Sequence, residues 1–225
     1  MPKRFDPELI PPFPTLEFER VQWQQGLRVV AGLDEAGRGS LAGPLCAAVV
    51  ILPFDADDLE KQLIGVKDSK QMTPFERETL APVIKSVALD FAIAWMEPDE
   101  IDNLGMGKAG RVVFKRAVSG LRESPVHLLI DYFKVPELEI PQTCLVKGDQ
   151  RSLSIACASV LAKQARDQRM IELSAEFEGY HFEQNKGYAS PEHLKAIDEL
   201  GLCVLHRHSF CDHLLQGRLF KDLSS

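Results

Sequence analysis

Three short apolar runs in this chain stop on an acidic side chain or within two residues of one, and this pattern constrains the fold more than any other feature. RVVAGLD (28–34) ends on Asp34 with Glu35 directly after it, VHLLID (126–131) ends on Asp131, and TCLVK (143–147) is followed by Gly148 and Asp149. Short runs rich in branched residues and bounded by turn formers indicate strands. LCAAVVIL (45–52) and KSVALDFAIAWM (85–96) add two more. Helical spacing of apolar residues predicts helices over 99–121, with Asp99 as cap, and over 152–177, with Ser152 or Ser154 as cap. Two further helices are expected from Pro191 to about Leu200 and from Phe210 to Leu223. The sum is an α/β fold: a mixed sheet flanked by helices, with a helical C-terminal portion. The proline-rich residues 1–27 are expected to lie as an extension on a core of residues 28–190, and residues 191–225 to pack against that core as helices.

Ligand sites in open α/β sheets collect at strand ends. Asp34, Glu35, Asp131 and Asp149 gathered there would repel one another unless cations neutralised them. A carboxylate-only donor set suits hard cations such as Mg²⁺ or Mn²⁺. Two such ions about 3.5–4 Å apart can clamp an in-line attack on a phosphodiester. The plainer alternative is that each acid merely caps a turn or helix, and spacing alone leaves it open. Gly37-Arg38-Gly39 follows the acidic pair, with Gly43-Pro44 close behind. Glycines there allow backbone N–H groups to approach a sugar-phosphate, and Arg38 could meet a phosphate. A dinucleotide-binding turn does not fit, because position 42 is alanine, Gly43 comes one residue late, and the two carboxylates would repel a pyrophosphate.

Composition limits the partners. A net charge of −7 argues against holding nucleic acid by bulk charge, while leaving room for a local basic groove. The longest apolar run, Leu41 to Phe54, is interrupted by Gly43, Pro44 and Pro53 and falls short of the roughly 20 residues that span a bilayer. The N-terminus lacks the apolar segment of a secretory signal. Five cysteines without a C-x-x-C pair suggest free thiols in a reducing compartment, so a cytoplasmic protein is expected. Cys203, His206, His208 and Cys211 are zinc-type ligands, but their spacing is too compact to close a tetrahedron readily. They are read instead as a loop in which His206 and Ser209 approach nucleic acid or the core.

Several blocks, in order, resemble the ribonuclease HII family: LDEAGRGSLAGP (33–44), VKDSK (66–70), LLID (128–131), KGD (147–149), SLSIACASVLAKQARD (152–167), NKGYASPEH (185–193) and HRHSF (206–210). The resemblance covers roughly residues 28 to 210 and implies a ribonuclease H-like fold. It further implies that Asp34, Glu35, Asp131 and Asp149 are catalytic and metal-binding, with two ions, Mn²⁺ or Mg²⁺, at the site with substrate. Gly37, Arg38 and Gly39 would recognise the ribonucleotide 2′-hydroxyl, and Tyr188 would pack on the sugar of the next, deoxy, nucleotide. The implied substrates are RNA/DNA hybrids and DNA duplexes containing ribonucleotides, nicked on the 5′ side to leave 5′-phosphate and 3′-hydroxyl ends. None of the six histidines lies in the strand-end blocks, which favours metal-activated water over attack by the 2′-hydroxyl. Lys67, Lys70, Lys147 and Lys186 could line a phosphate track, and Ser209 could add a substrate contact, although isolated lysines are more often simply solvated. Asp167 is read as the structural partner of Lys163, a pair worth about 0.2–0.5 kcal/mol.

The chain departs from the family in having Tyr132-Phe133-Lys134-Val135-Pro136 after Asp131, where a glycine and a shorter path are usual. Cys157 and Ala189 stand where alanine and glycine are usual. Two rival readings share the fold. A noncatalytic hybrid-binding module would gain by losing the four acids. The type III ribonucleases carry an extra N-terminal domain, for which the 27 residues before the first strand are too few. A monomer is expected, with a replication or repair protein as a further partner.

Overall fold

A computed structural model describes residues 5–212. In chain order the elements are α1 (Glu17–Gln24), β1 (Val30–Ala36), β2 (Leu45–Ile51), α2 (Leu59–Gln62), α3 (Pro74–Val87), β3 (Asp90–Met96), α4 (Pro98–Leu104) and α5 (Met106–Ser119). There follow β4 (His127–Asp131), β5 (Gln142–Leu145), α6 (Leu153–Ser174), α7 (Phe182–Asn185) and α8 (Pro191–Leu200). The strands form one mixed sheet in the order β3-β2-β1-β4-β5. β1, β2 and β3 pair antiparallel, and β4 and β5 continue parallel to β1. This is the mixed, helix-flanked sheet that the sequence suggests.

Both faces of β2 are buried, which explains why it reads as an unbroken apolar run rather than an alternating one. Cys46, Ala48 and Val50 face a core shared with α3 and α6. Leu45, Ala47, Val49 and Ile51 face a second core built with Val113, Phe114 and Ala117 of α5. The long helix α6 lies against β1, and Gly32 makes that approach possible. A Cβ at Gly32 would sit 2.3 Å from the Ser154 carbonyl carbon. Ser152 caps α6 by accepting the Ile155 N–H. Glu19, buried on α1, accepts hydrogen bonds from the Ser152 hydroxyl and from both the hydroxyl and N–H of Ser154, so the N-terminal segment is tied to the start of α6.

The boundaries correct the sequence reading in four places. β1 runs through Ala36, so Asp34 is not its last residue and Glu35 lies inside the strand rather than after it. Residues 85–87 belong to α3, not to the third strand. A reciprocal cap between Thr73 and Glu76, with Pro74 in the first helical position, starts that helix. The helix expected over 99–121 is two helices, broken at Gly105 (φ +73°), and its cap is Glu97 rather than Asp99. The last predicted helix, Phe210 to Leu223, falls mostly outside the described residues. No helix among the described residues is long and apolar enough to cross a membrane.

Candidate active site

The parallel pairing of β1 with β4 places Leu33 beside Ile130, so the next residues, Asp34 and Asp131, leave neighbouring strands side by side. Both acids, with Glu35, line a cavity of about 500 Å³ whose other walls include Gly37, Arg38, Gly39, Lys70 and Tyr188. Asp149 does not line the cavity; it sits beside it in the tight turn Gly148–Gln150, which is fixed because Gly148 N–H donates to Asp131 Oδ1 at 2.7 Å. It is near enough for its charge to act on Asp34 and for that of Asp131 to act on it. Lys70 Nζ lies 3.8 Å from Asp149 Oδ2.

Burial raises the pKa of all four acids, and their own charges add to the effect at three of them. Asp34 is pushed well above the usual carboxylate range by burial, then by Glu35 and Asp131. Burial carries Glu35 up to about 7 even though Arg38 opposes the shift. Asp149 also reaches about 7, through burial and the charges of Asp131 and Asp68. Burial raises Asp131 as well, against the Gly148 N–H and Lys70. Asp149 Oδ1 is buried with no hydrogen-bond partner. An all-oxygen donor set, mutual repulsion and an orphaned carboxylate oxygen fit a hard divalent cation. Among the described residues no three acidic, histidine or cysteine side chains already enclose a single point as ligands.

The glycine loop above the acids is shaped by two arginines that sequence reasoning did not single out. Arg166 of α6 and Arg207 are both fully buried. Arg166 donates to Pro44 O (2.8 Å), Ala42 O (3.1 Å), Ser40 Oγ (2.7 Å) and Lys186 O (2.9 Å). Arg207 donates to Gly37 O (2.7 Å), to Arg38 O (3.2 Å) and twice to Gly43 O. Burial and the neighbouring Arg166 charge push Arg207 down to about 9. Gly37 is required here, since its φ is +93° and a Cβ would lie 2.0 Å from Arg166 Nε. Gly39 is different: nothing lies within 4 Å of a Cβ placed there, so its open side faces free space. The Arg38 guanidinium rests 5.0 Å from the Phe133 ring and 3.5 Å from Glu35 Oε1, with Gly110 leaving room for it. The unusual segment after Asp131 thus supplies a platform for Arg38. Tyr132 pays for that path with a positive φ of +67°.

Tyr188 reaches the same cavity from the turn after α7, with Lys163 and Arg166 each 5.3 Å from its ring centre. The glycine loop and this turn are stitched directly, because Leu41 and Ala42 N–H both donate to Gly187 O. Asp167 does pair with Lys163 (2.6 Å), as its spacing suggests, but it also pairs with buried Arg77 (3.1 Å). Arg77, Lys163 and Ser69 therefore join the cavity wall, three residues that the sequence did not nominate. Asp68 is a fifth nearby acid, held below the ordinary range despite burial by hydrogen bonds from Lys70 N–H and Gln150.

Other sequence-nominated residues fall elsewhere. Lys147 is exposed, although its charge still reaches Asp131. Lys67 pairs with Glu76 at 3.8 Å. The Lys186 ammonium is taken by the Glu183 carbonyl. Ser209 is not brought to the cavity, because its hydroxyl and N–H both donate to Asp102. His206 turns inward to Cys203 and His193, away from Cys211, whose thiol lies 3.9 Å from Leu41 O.

Residues 31–213 match the profile of the family described as Ribonuclease HII. The chain belongs to the ribonuclease HII family. It is accordingly an endoribonuclease, a hydrolase of phosphodiester bonds. The Ribonuclease HII of Moorella thermoacetica is 48% identical over 193 residues, which are 86% of this chain and 91% of that protein. That of Anaeromyxobacter sp. is 46% identical over 195 residues, 87% of this chain but only 60% of its own length. Among solved structures, the crystal structure of ribonuclease H2 from Pyrococcus horikoshii OT3 superposes with a TM-score of 0.69 at 27% identity, covering 80% of this chain and 92% of that one. The mixed sheet and helical C-terminal part are therefore a ribonuclease HII fold.

Proposed function

We propose that this ribonuclease HII family member hydrolyses the RNA strand of RNA/DNA hybrids and nicks duplex DNA 5′ to an embedded ribonucleotide, leaving 5′-phosphate and 3′-hydroxyl ends. Cleavage of RNA in hybrids is the activity that family membership supports. The observation that carries the finer reading is that mutually repelling carboxylates share one cavity with the Gly37-Arg38-Gly39 loop and Tyr188. Asp34, Glu35, Asp131 and Asp149 would hold two divalent ions, Mn²⁺ or Mg²⁺. Such ions, when bound, supply an activated water and stabilise charge on the leaving 3′-oxygen.

The chain's own residues do the selecting. The open side of Gly39 lets backbone come close to the sugar, where a 2′-hydroxyl tells RNA from DNA. Arg38 and Lys70, at the cavity rim, meet phosphates and fix register without reading sequence. This local positive rim answers the problem posed by the net charge of −7. Tyr188 packs on the sugar of the following deoxynucleotide. An end-labelled duplex carrying one ribonucleotide, incubated with and without chelator, tests the whole reading. A single nick on the 5′ side that chelator abolishes is expected, and a cut elsewhere or one that survives chelation would refute it.

Tyr188→Ala should reduce cleavage at a single embedded ribonucleotide by about 1–3 kcal/mol, roughly 5- to 150-fold, the range of an aromatic stacking contact. Loss on a long hybrid should be smaller, since alternative cut sites are available there. Equal losses on both substrates would remove the junction-sensing role.

Stability should report the ions independently of turnover. Glu35 and Asp149 have folded pKa values raised to about 7 from carboxylate values near 4 in the unfolded chain. The folded state therefore binds more protons, and metal-free protein loses stability as pH rises from about 4 through 7. Mn²⁺ or Mg²⁺ should accordingly raise the melting temperature far more at about pH 8 than at about pH 5, where protons compete. A pH-independent stabilisation would show that the ions bind elsewhere.

A further inference from the structure

Two histidines with no part in the proposed chemistry meet in the core behind the Tyr188 turn. His193, on the first turn of α8, and His206, next to Arg207, are both buried, with their Nε2 atoms 3.2 Å apart. Their outer nitrogens have fixed partners. The Cys203 backbone N–H donates to His206 Nδ1 at 2.9 Å, and His193 Nδ1 lies 2.8 Å from the Tyr188 carbonyl oxygen. The Cys203 thiol and carbonyl oxygen also lie near His206 Nδ1, at 3.2 and 3.3 Å, both farther than the backbone N–H. That carbonyl already accepts the His206 backbone N–H at 2.9 Å.

A backbone N–H can only donate and a carbonyl can only accept, so the shortest contact at each Nδ1 assigns its tautomer. His206 accepts at Nδ1 and must carry its hydrogen on Nε2. His193 donates at Nδ1 and must accept at Nε2. The central contact is then a normal N–H···N hydrogen bond between two neutral rings, running in one direction from Cys203 to Tyr188. Burial favours the neutral form of both rings. Tyr180 and Phe182 pack around them at ring distances of 5.1 Å from His206 and 5.4 Å from His193.

The relay has a second anchor. Arg207, the residue after His206, grips the carbonyls of Gly37, Arg38 and Gly43. One dipeptide therefore touches both elements of the reading surface. We propose that His206 and His193 are positioning residues, forming a one-way hydrogen-bond relay that holds the Tyr188 backbone at a set place relative to the Gly37–Gly39 loop. The proposal rests on the reading of Tyr188 as a junction sensor.

Long-range ¹⁵N–¹H imidazole spectra of the intact chain at about pH 7 test the relay without any assay. The expected result is His193 as the Nδ1–H tautomer, the minor form of free histidine, and His206 as the Nε2–H tautomer. An Nε2–H form of His193, or an imidazolium at either position, would overturn it. His206→Phe keeps the aromatic packing and removes both hydrogen bonds. Its kcat/KM on a single-ribonucleotide duplex should fall about tenfold, with about twofold or less on a long hybrid. His206→Gln, which offers both an acceptor and a donor, should recover part of the loss. An equal fall on the two substrates in a variant that still melts cooperatively would overturn the positioning role. Tyr188→Ala measured alongside separates the two failures. If that variant spares the single ribonucleotide, the junction reading is wrong, while the tautomers judge the relay itself.

Discussion

Asp34→Asn should abolish cleavage, by about three orders of magnitude or more, and at the same time make the metal-free protein more stable. The two effects have one cause. Asp34 is buried among Glu35, Asp131 and Asp149, and its ionised form is unfavourable on both counts. The neutral amide removes that cost while keeping an oxygen that can still accept the Glu35 N–H now bound at 2.7 Å. A gain on the order of 1–3 kcal/mol is expected at about pH 8, where the native carboxylates are ionised. Melting curves with and without divalent ions, and turnover on a labelled hybrid, give the readouts. Duplex binding, for which Arg38, Lys70 and Tyr188 are the proposed contacts, should survive. If Asp34→Asn destabilises the protein and leaves turnover intact, Asp34 is a capping residue and the four-acid centre is wrong.

Arg166→Met should cost about 3–5 kcal/mol of unfolding free energy, the largest stability effect expected from one charged residue here. The side chain donates to three carbonyls and a hydroxyl, three of these bonds buried and the one to Lys186 O partly so, and methionine fills the volume without replacing one donor. Buried acceptors left unpaired each cost about 1–3 kcal/mol, less where other donors remain. Urea unfolding measures the total. Hydrogen exchange should show the loss concentrated in residues 37–44 and 186–188, where the donated bonds end. Arg166→Lys keeps a charge without the fork and should recover only part of the loss. A variant with unchanged stability would mean that the loop is held by its own turns and by Arg207 alone.

The sheet was legible because strand runs are a local pattern, whereas the four acids were nominated by their places near strand ends together with the family resemblance, since spacing alone left simple capping open. Apolar runs mark strands, and an acid at the end of one only nominates a site. The strand read over 85–96 took in the last turn of α3, although Thr73 and Glu76, three residues apart, signal the helix start. Arg166 and Arg207 were not legible. In the sequence they are ordinary charged residues in AKQARD and HRHSF, and only contacts across more than 120 residues show that they hold the loop. Asp167 shows the same limit on a smaller scale. Its partner four residues back could be read from helical spacing, but Arg77, 90 residues away, could not. Ser209 matched a family block, yet its hydroxyl is taken by Asp102, a contact 107 residues apart that no local pattern reveals.

The glycine loop and the arginine that completes it are 170 residues apart in the chain. At ribosomal rates of about 5–20 residues per second, roughly 10–30 s separate their synthesis. The carbonyls of Gly37, Arg38 and Gly43 are therefore made long before the guanidinium that pairs with them. A truncated product ending ahead of position 207 would leave those carbonyls without the donors that Arg207 supplies, so the geometry of the loop is set only once this late residue has emerged.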